Sequence, residues 1–489
     1  MNNFPESRCS RTSGAAMVAT VAMAALLGGC SLTPAVVRPD LPVASTFPQG
    51  AADTDPQARS AVDTGWRTFF PDPRLQTLIA TALDNNRDLR TAALRIEEAR
   101  ALYNIQSADL LPTLNLTAGA ARARNQTPQY GRGTTAVGTS YQVGASLAAF
   151  ELDFFGRVRS LNDAALAQFL ATDFARQSVQ ISLVAAVAQA YLTEQALAEQ
   201  LALAQSTTKG RQDAYDLAKQ RFDVGASSAL DLRLAETLVL SARVAAVTLV
   251  RQQAQARNAL TLLVGRPDSA PTLAPVQTLS SNTVVTGIPA GLPSDLLANR
   301  PDIRAAEQRL RAANANIGAA RAAFFPRISL TAALGLASPA LSGLFDSGSG
   351  VWSFGPQLLL PIFDAGRNRG NLNLAQVRTD LAVADYEKTI QVAFREVADA
   401  LVARGALEEQ VVAQQAFLDA TADRLRLAGL RYDNGVASSL DVLDAQRELF
   451  NARQALVQVR LQRLTNAIDL YRALGGGLLE QSAPLAAKS

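Results

Sequence analysis

Two hydrophobic rhythms alternate along the chain. In four stretches apolar and polar residues take turns. Across Thr113–Ala121, Leu114, Leu116, Ala118 and Ala120 fall on one face, with Asn115, Thr117 and Gly119 on the other. Across Ser140–Phe150, Tyr141, Val143, Ala145, Leu147 and Ala149 oppose Gln142, Gly144, Ser146 and Ala148. Ile328, Leu330, Ala332, Leu334 and Leu336 oppose Ser329, Thr331, Ala333 and Gly335 in the third. In the fourth, Trp352, Phe354, Leu358, Leu360 and Ile362 oppose Ser353, Gly355 and Gln357. Side chains alternate across a strand, so each stretch predicts a β-strand of about ten residues with one apolar face. Pro356 lacks a ladder donor and predicts a bulge or strand end. The segments between paired strands, Arg122–Thr139 and Ser338–Gly350, are rich in Gly, Ser, Thr and Asn and predict exposed loops.

The other rhythm is helical. No proline occurs from Arg157 to Arg266 or from Ile362 to Ala483, and both stretches are rich in Ala, Leu, Gln, Arg and Glu. Each predicts a helix of about 65 residues, a tight turn at Gly225 or Gly435, and a helix of about 35. At 1.5 Å per residue the longer helix extends about 100 Å. Leu449, Ala452, Leu456 and Val459, then Leu461, Leu464, Ile468 and Tyr471, alternate steps of three and four, the spacing of a coiled-coil seam.

The same plan occurs twice. Arg221–Leu238 (RFDVGASSALDLRLAETL) is echoed by Arg431–Leu449 (RYDNGVASSLDVLDAQREL). Asn86–Ala101 aligns with Asn299–Ala315, Ala108–Ala118 with Ala322–Ala332, and Phe150–Arg159 with Leu360–Arg369. The chain therefore divides into 1–29, a signal peptide; 30–72, a lipid-anchored N-terminal extension; 73–265, the first structural repeat; 266–294, a linker; 295–475, the second repeat; and 476–489, a C-terminal tail.

Composition narrows the function. There is no histidine, and Met1, Met17, Met23 and Cys9 all lie in the leader, leaving Cys30 as the one mature cysteine. Cys/His metal sites, cysteine nucleophiles and histidine triads are excluded, whereas carboxylate-only catalysis is not excluded by composition. A net charge of +3 does not suggest nucleic acid. Ala15–Leu27 is an h-region too short to span a bilayer, and Leu27-Gly28-Gly29-Cys30 after it has the form of a lipobox, marking Cys30 for lipidation. The plainer alternative is an ordinary signal peptide that contains a cysteine. No later segment is a run of eighteen or more apolar residues, so a membrane crossing requires a closed β-barrel. Phe154, Phe155, Phe324, Phe325 and Phe363 cluster at the strand ends, where an interfacial girdle belongs. Four strands cannot close a membrane barrel alone, since the smallest has eight, so the barrel is shared: eight strands from two chains, twelve from three.

The repeated turn has a local reading. Gly225 and Gly435 suit a left-handed helix stop. Ser228-Ala229-Leu230-Asp231 and Ser438-Ser439-Leu440-Asp441 have capping-box form, which makes Asp231 and Asp441 helix caps. Asp444 falls outside the box, and its counterpart is Leu234. A solvated helix face accounts for it as well as a functional role does.

Gly65–Leu89, FELDFFGR, Asn299–Leu330, PIFDAGR and Leu470–Gly477, in order and in a duplicated frame behind a lipobox, resemble the outer membrane factor (TolC-like) family in its lipoprotein, OprM/NodT-type branch. The resemblance covers nearly the whole mature chain. It implies a mixed α/β membrane channel: a shared trimeric 12-stranded transmembrane β-barrel continued by a long periplasmic α-helical barrel. It implies a lipid-anchored homotrimer of the outer membrane extending into the periplasm, serving as exit channel of a tripartite pump for drugs and small amphiphiles, with a periplasmic adaptor and an inner-membrane resistance-nodulation-division (RND) transporter as partners. Nothing in the implied role requires a cofactor, a bound metal or bond chemistry in this subunit. Exit ducts for type I protein secretion or for metal-ion efflux share the architecture. By the same resemblance Asp441 and Asp444, and more weakly Asp231, are periplasmic gate candidates. Val224, Gly225, Ala226 and Ser227, with Asn434, Gly435, Val436, Ala437 and Ser438, are adaptor-contact tips. Ala437 stands where some members place a gate-bracing arginine, so no salt-bridged lock is implied at that position.

Overall fold

The computed structural model describes residues 31–36, 39–40, 42–47, 59–129, 132–266, 279, 283–289, 291 and 293–482; Cys30 and the leader lie outside them. The chain forms two compact units: residues up to Pro39 with Glu97–Ala171 and Ala306–Asp385, and Asp40–Ile96 with Thr172–Ala305 and Tyr386–Ser489.

The first unit is built on one antiparallel sheet, ordered β1 (Leu114–Gln129), β2 (Arg132–Leu152), β3 (Arg327–Ser338) and β4 (Gly350–Leu359). The register brings the four apolar faces onto one side. Leu116 pairs with Ala145, Ala145 with Leu334, and Leu334 with Trp352. Leu116, Leu334, Trp352, Phe354 and Leu358 are all exposed on it. A sheet face this apolar and this bare is a surface made for lipid.

Three expectations need correction. Within Arg122–Thr139, residues 122–129 and 132–139 are strand and not loop: β1 and β2 remain paired from Leu114↔Leu147 to Gln129↔Arg132. Backbone hydrogen bonds carry the ladder, and threonine suits it, so polar composition does not end the strands. Pro356 neither ends nor bulges β4; it pairs in register with Leu330. β4 is an edge of this sheet, where proline is tolerated. The bulge lies in β2 instead, between Leu147 and Phe150. It absorbs one residue, so Phe150, not Ala149, continues the apolar face opposite Leu330. Ala149 sits there at φ 47°.

At the sheet's end Phe155 stacks on Phe325 at 4.8 Å, and Phe363 is almost fully exposed. The segment after the lipobox is held against α7 (Pro301–Ala322) and α4 (Arg157–Asp223). Asn314 Nδ2 donates to the Pro34 carbonyl at 2.7 Å, Arg321 Nη1 to the Leu32 carbonyl at 3.2 Å, and Thr33 Oγ1 lies 3.1 Å from Ser160 Oγ. Gly318 makes room for this contact: a Cβ there would come within 2.1 Å of Thr33 Oγ1.

The second unit is helical. Its two turns divide α4 from α5 (Ala229–Val264), 67 and 36 residues long, and α8 (Arg367–Asp433) from α9 (Ser439–Ala473), 67 and 35 residues long. These lengths match the spacing of the punctuation. The eight seam residues of α9, from Leu449 to Tyr471, are all buried. One window of α4 is apolar and long enough to cross a membrane, but 61% of it is buried within protein, which marks a packed core face.

The second unit also holds the short helices α1 (Trp66–Phe69), α2 (Pro73–Asn85) and α6 (Asp295–Asn299), and the first half of α3 (Arg87–Ala108). Phe69 stacks on Tyr471 at 3.9 Å, and the Tyr471 hydroxyl donates to the Thr64 carbonyl. Burial raises the Tyr471 hydroxyl pKa. Asp72 caps α2 and accepts from the Tyr191 hydroxyl at 2.7 Å. The duplication persists in space: Gly265 packs on the Asn85 carbonyl as Gly475 packs on that of Asn299.

Candidate functional site

The repeated segment builds two near-identical turns in the second unit. In each the helix ends by a Schellman motif. Gly225 N–H donates to the Phe222 carbonyl and Ala226 N–H to that of Arg221; Gly435 N–H donates to Tyr432 and Val436 N–H to Arg431. Both glycines sit at φ 73°. Any side chain there would strain the turn.

Serine and aspartate then restart the chain. Ser228 Oγ accepts from Asp231 N–H at 3.2 Å, while Asp231 Oδ2 accepts from the Ser228 hydroxyl at 2.8 Å. Asp441 Oδ2 accepts from both the N–H and the hydroxyl of Ser438, at 3.1 and 3.2 Å. Each aspartate also lies in a helix's first turn, where the macrodipole favours an anion.

The turns are tied to each other. Arg221 Nη1 donates to the Tyr432 hydroxyl at 2.6 Å, and Ser439 Oγ donates to Asp231 Oδ1 at 3.1 Å. The bonds from Ser228 and then Ser439 hold the Asp231 carboxyl below its ordinary pKa. A cavity of about 330 Å³ opens between the turns, lined by Leu217, Ala218, Arg221, Asp231, Tyr432 and Leu443.

Asp444 is placed differently. Its Oδ2 accepts from Arg424 Nη2 at 2.9 Å and its Oδ1 from Arg447 Nη2, while Arg424 also pairs with Glu448. Arg424 belongs to α8 and Asp444 to α9, so the bond staples the two helices just behind the turn. Asp441 and Asp444 therefore have different work: one caps, the other bridges. Among the tip residues, Val224, Gly225, Ala226, Asn434, Gly435, Val436 and Ser438 are exposed, whereas Ser227 and Ala437 are half-buried. The Ser227 hydroxyl oxygen is itself buried without a partner.

The sequence reading missed Arg221, Arg424, Tyr432 and Ser439. One signal for the first link was present: both copies read Arg-aromatic-Asp, and only the second aromatic carries a hydroxyl. Arg424 carried no signal, because its partner lies on another helix.

A model of the outer membrane efflux protein family matches residues 78–266 and again 292–476. The chain belongs to the outer membrane efflux protein family. It is 48% identical over 459 residues to the probable efflux pump outer membrane protein TtgC of Pseudomonas putida, covering 94% of each chain. It is 47% identical over 460 residues to the outer membrane protein OprJ of Pseudomonas aeruginosa, covering 94% of this chain and 95% of that one. The open-state MtrE outer membrane channel of Neisseria gonorrhoeae superposes with a TM-score of 0.84 at 43% identity, over 93% of this chain and all of that one. Membership makes this an outer-membrane channel chain, the exit component of a tripartite RND-type efflux pump. Such channels are trimers that work with a periplasmic adaptor and an inner-membrane RND transporter. The exposed apolar face of the sheet is thus the lipid face. Three copies of the four-stranded sheet give the twelve strands of the family barrel.

Proposed function

We propose that the channel is a passive duct for small amphiphilic compounds, does no bond chemistry itself, and is closed at its periplasmic end by the paired turns. The observation that carries this reading is the double tie between the turns, Arg221 to Tyr432 and Asp231 to Ser439. Two polar bonds at half-exposed positions are strong enough to hold a closed arrangement and weak enough to release on docking of a partner. The Arg424–Asp444–Arg447 cluster stiffens the second hairpin behind them. Around a threefold axis Asp441, Asp444 and Asp231 would each recur three times and present carboxylates to cations. The exposed Val224–Gly225–Ala226 and Asn434–Gly435–Val436 tips offer a trimer six exposed knobs for adaptor hairpins. Lipidation of Cys30 adds the anchor.

Relatives suggest the cargo. One 48% identical relative in Pseudomonas putida is named a toluene efflux pump outer membrane protein, and another an antibiotic efflux pump outer membrane protein. An amphiphile duct suits this chain in the same way. The test is complementation: cells lacking their own exit channel should regain resistance to solvents and amphiphilic antibiotics when this chain is supplied with its transporter and adaptor. Resistance left at the level of the empty vector would overturn the proposal.

A further inference from the structure

The β1–β2 hairpin carries an arginine pair that the duct does not use. The register from Leu114 to Gln129 is unbroken, so alternate residues of β1 share a face. Leu114, Leu116, Ala118 and Ala120 make the lipid face, and the next two positions on it are Arg122 and Arg124. Both are exposed, and neither has an ion-pair partner among the described residues. No acidic residue occurs anywhere from Leu111 to Phe150. Tyr141, paired with Ala120, lies on the same face one step below Arg122. Tyrosine beside arginine, just past an apolar band, is the composition of a membrane–water interface.

Height along the strand identifies which interface. Arg122 and Arg124 lie eight and ten residues beyond Leu114. At about 3.4 Å per residue and a strand tilt of about 40°, that puts them about 20 and 26 Å above the base of the apolar band. The lipid-facing band of such barrels is about 25 Å tall. Arg124 therefore stands at the headgroup level of the far leaflet, and Arg122 lies one turn of the pleat below it, within snorkelling reach, on the side of the sheet that faces lipid. A guanidinium pair without acidic neighbours binds phosphate bidentately.

We propose that Arg122 and Arg124 form a docking site for the phosphate groups of an outward-leaflet lipid of the lipopolysaccharide class. The proposal rests on the lipid face of the sheet and not on the closure of the turns or the identity of the cargo. The experiment relipidates the full-length protein in phosphatidylcholine vesicles and counts retained lipid by native mass spectrometry. Three probes are added in turn: lipopolysaccharide, lipopolysaccharide stripped of its lipid A phosphates, and phosphatidylglycerol. Lipopolysaccharide should be retained by the wild type and lost about tenfold or more in R122Q/R124Q, with bilayer conductance unchanged. The phosphate-stripped form should bind the wild type no better than lipopolysaccharide binds the variant. Equal retention of the two lipopolysaccharide forms by the wild type overturns the proposal, whether or not the variant folds. Retention of phosphatidylglycerol as strong as that of lipopolysaccharide overturns the assignment to the outward leaflet.

Discussion

Arg221 donates to the hydroxyl of Tyr432 at 2.6 Å, joining the last turn of the first long helix to its duplicate 211 residues on. The aromatic residue in the first copy is Phe222, which has no hydroxyl to offer. Duplication made two similar turns, and one added oxygen made them into a pair. Tyr432→Phe keeps the ring and removes the bond. A side-chain hydrogen bond contributes about 0.5–1.5 kcal/mol, so the open fraction should rise about two- to tenfold in planar bilayer recordings. Recordings indistinguishable from the wild type would remove this bond from the closure.

Asp444→Asn should loosen the second hairpin by a different route. Arg424 keeps Glu448, but the bridges from Arg424 and Arg447 to position 444 lose their charge. Cation selectivity should fall, and open-state conductance should change. Reversal potentials measured in a salt gradient decide the matter; values matching the wild type would confine Asp444 to bridging the two helices.

Acid sensitivity follows from Asp231. Its folded pKa is depressed by Ser228 and Ser439, so the stabilisation is present above the ordinary carboxylate pKa and is lost as pH falls through the lowered one. The tie to Ser439 should therefore survive into acid below the usual carboxylate range. Removing the other donor, as in Ser228→Ala, should leave the tie in place and bring acid-induced opening to a higher pH. A titration of conductance on both proteins that gives coincident curves would count against the Asp231 tie.

Thr33 rests where Gly318 has no side chain. Gly318→Val should expel residues 32–34 and leave the sheet intact. Limited proteolysis should then cut the N-terminal segment at least several times faster, with the trimer still resistant to detergent. A T33C/S160C pair, built on two oxygens 3.1 Å apart, should cross-link in the parent and not in the Gly318→Val background.

Cys30→Ser should abolish palmitate labelling, and the barrel should still insert, because its apolar face is independent of the acyl anchor. Label persisting in the variant would place the lipid elsewhere.

Much of this chain could be read from one dimension. Helix lengths follow from proline-free runs ended by Gly225 and Gly435, and strand faces follow from alternation, because both are set by residues a few positions apart. The β2 bulge was not readable: Ala149 continues the alternation in sequence, and only the ladder to β3 shows that Phe150 takes its place. Nor was the length of the β1–β2 ribbon, since its outer half is held by backbone bonds that composition does not report.

The site divides along the same line. Sequence alone determined the caps, because a serine and an aspartate three residues apart meet on any helix start. It also determined that four strands need partners, because an open sheet edge has no place in lipid. Tertiary structure alone decided that Asp444 accepts from Arg424 on the neighbouring helix, and that Asp231 accepts from Ser439, 208 residues away. Such bonds depend on how helices lie side by side, which is fixed by the whole packed seam and by no residue near either partner.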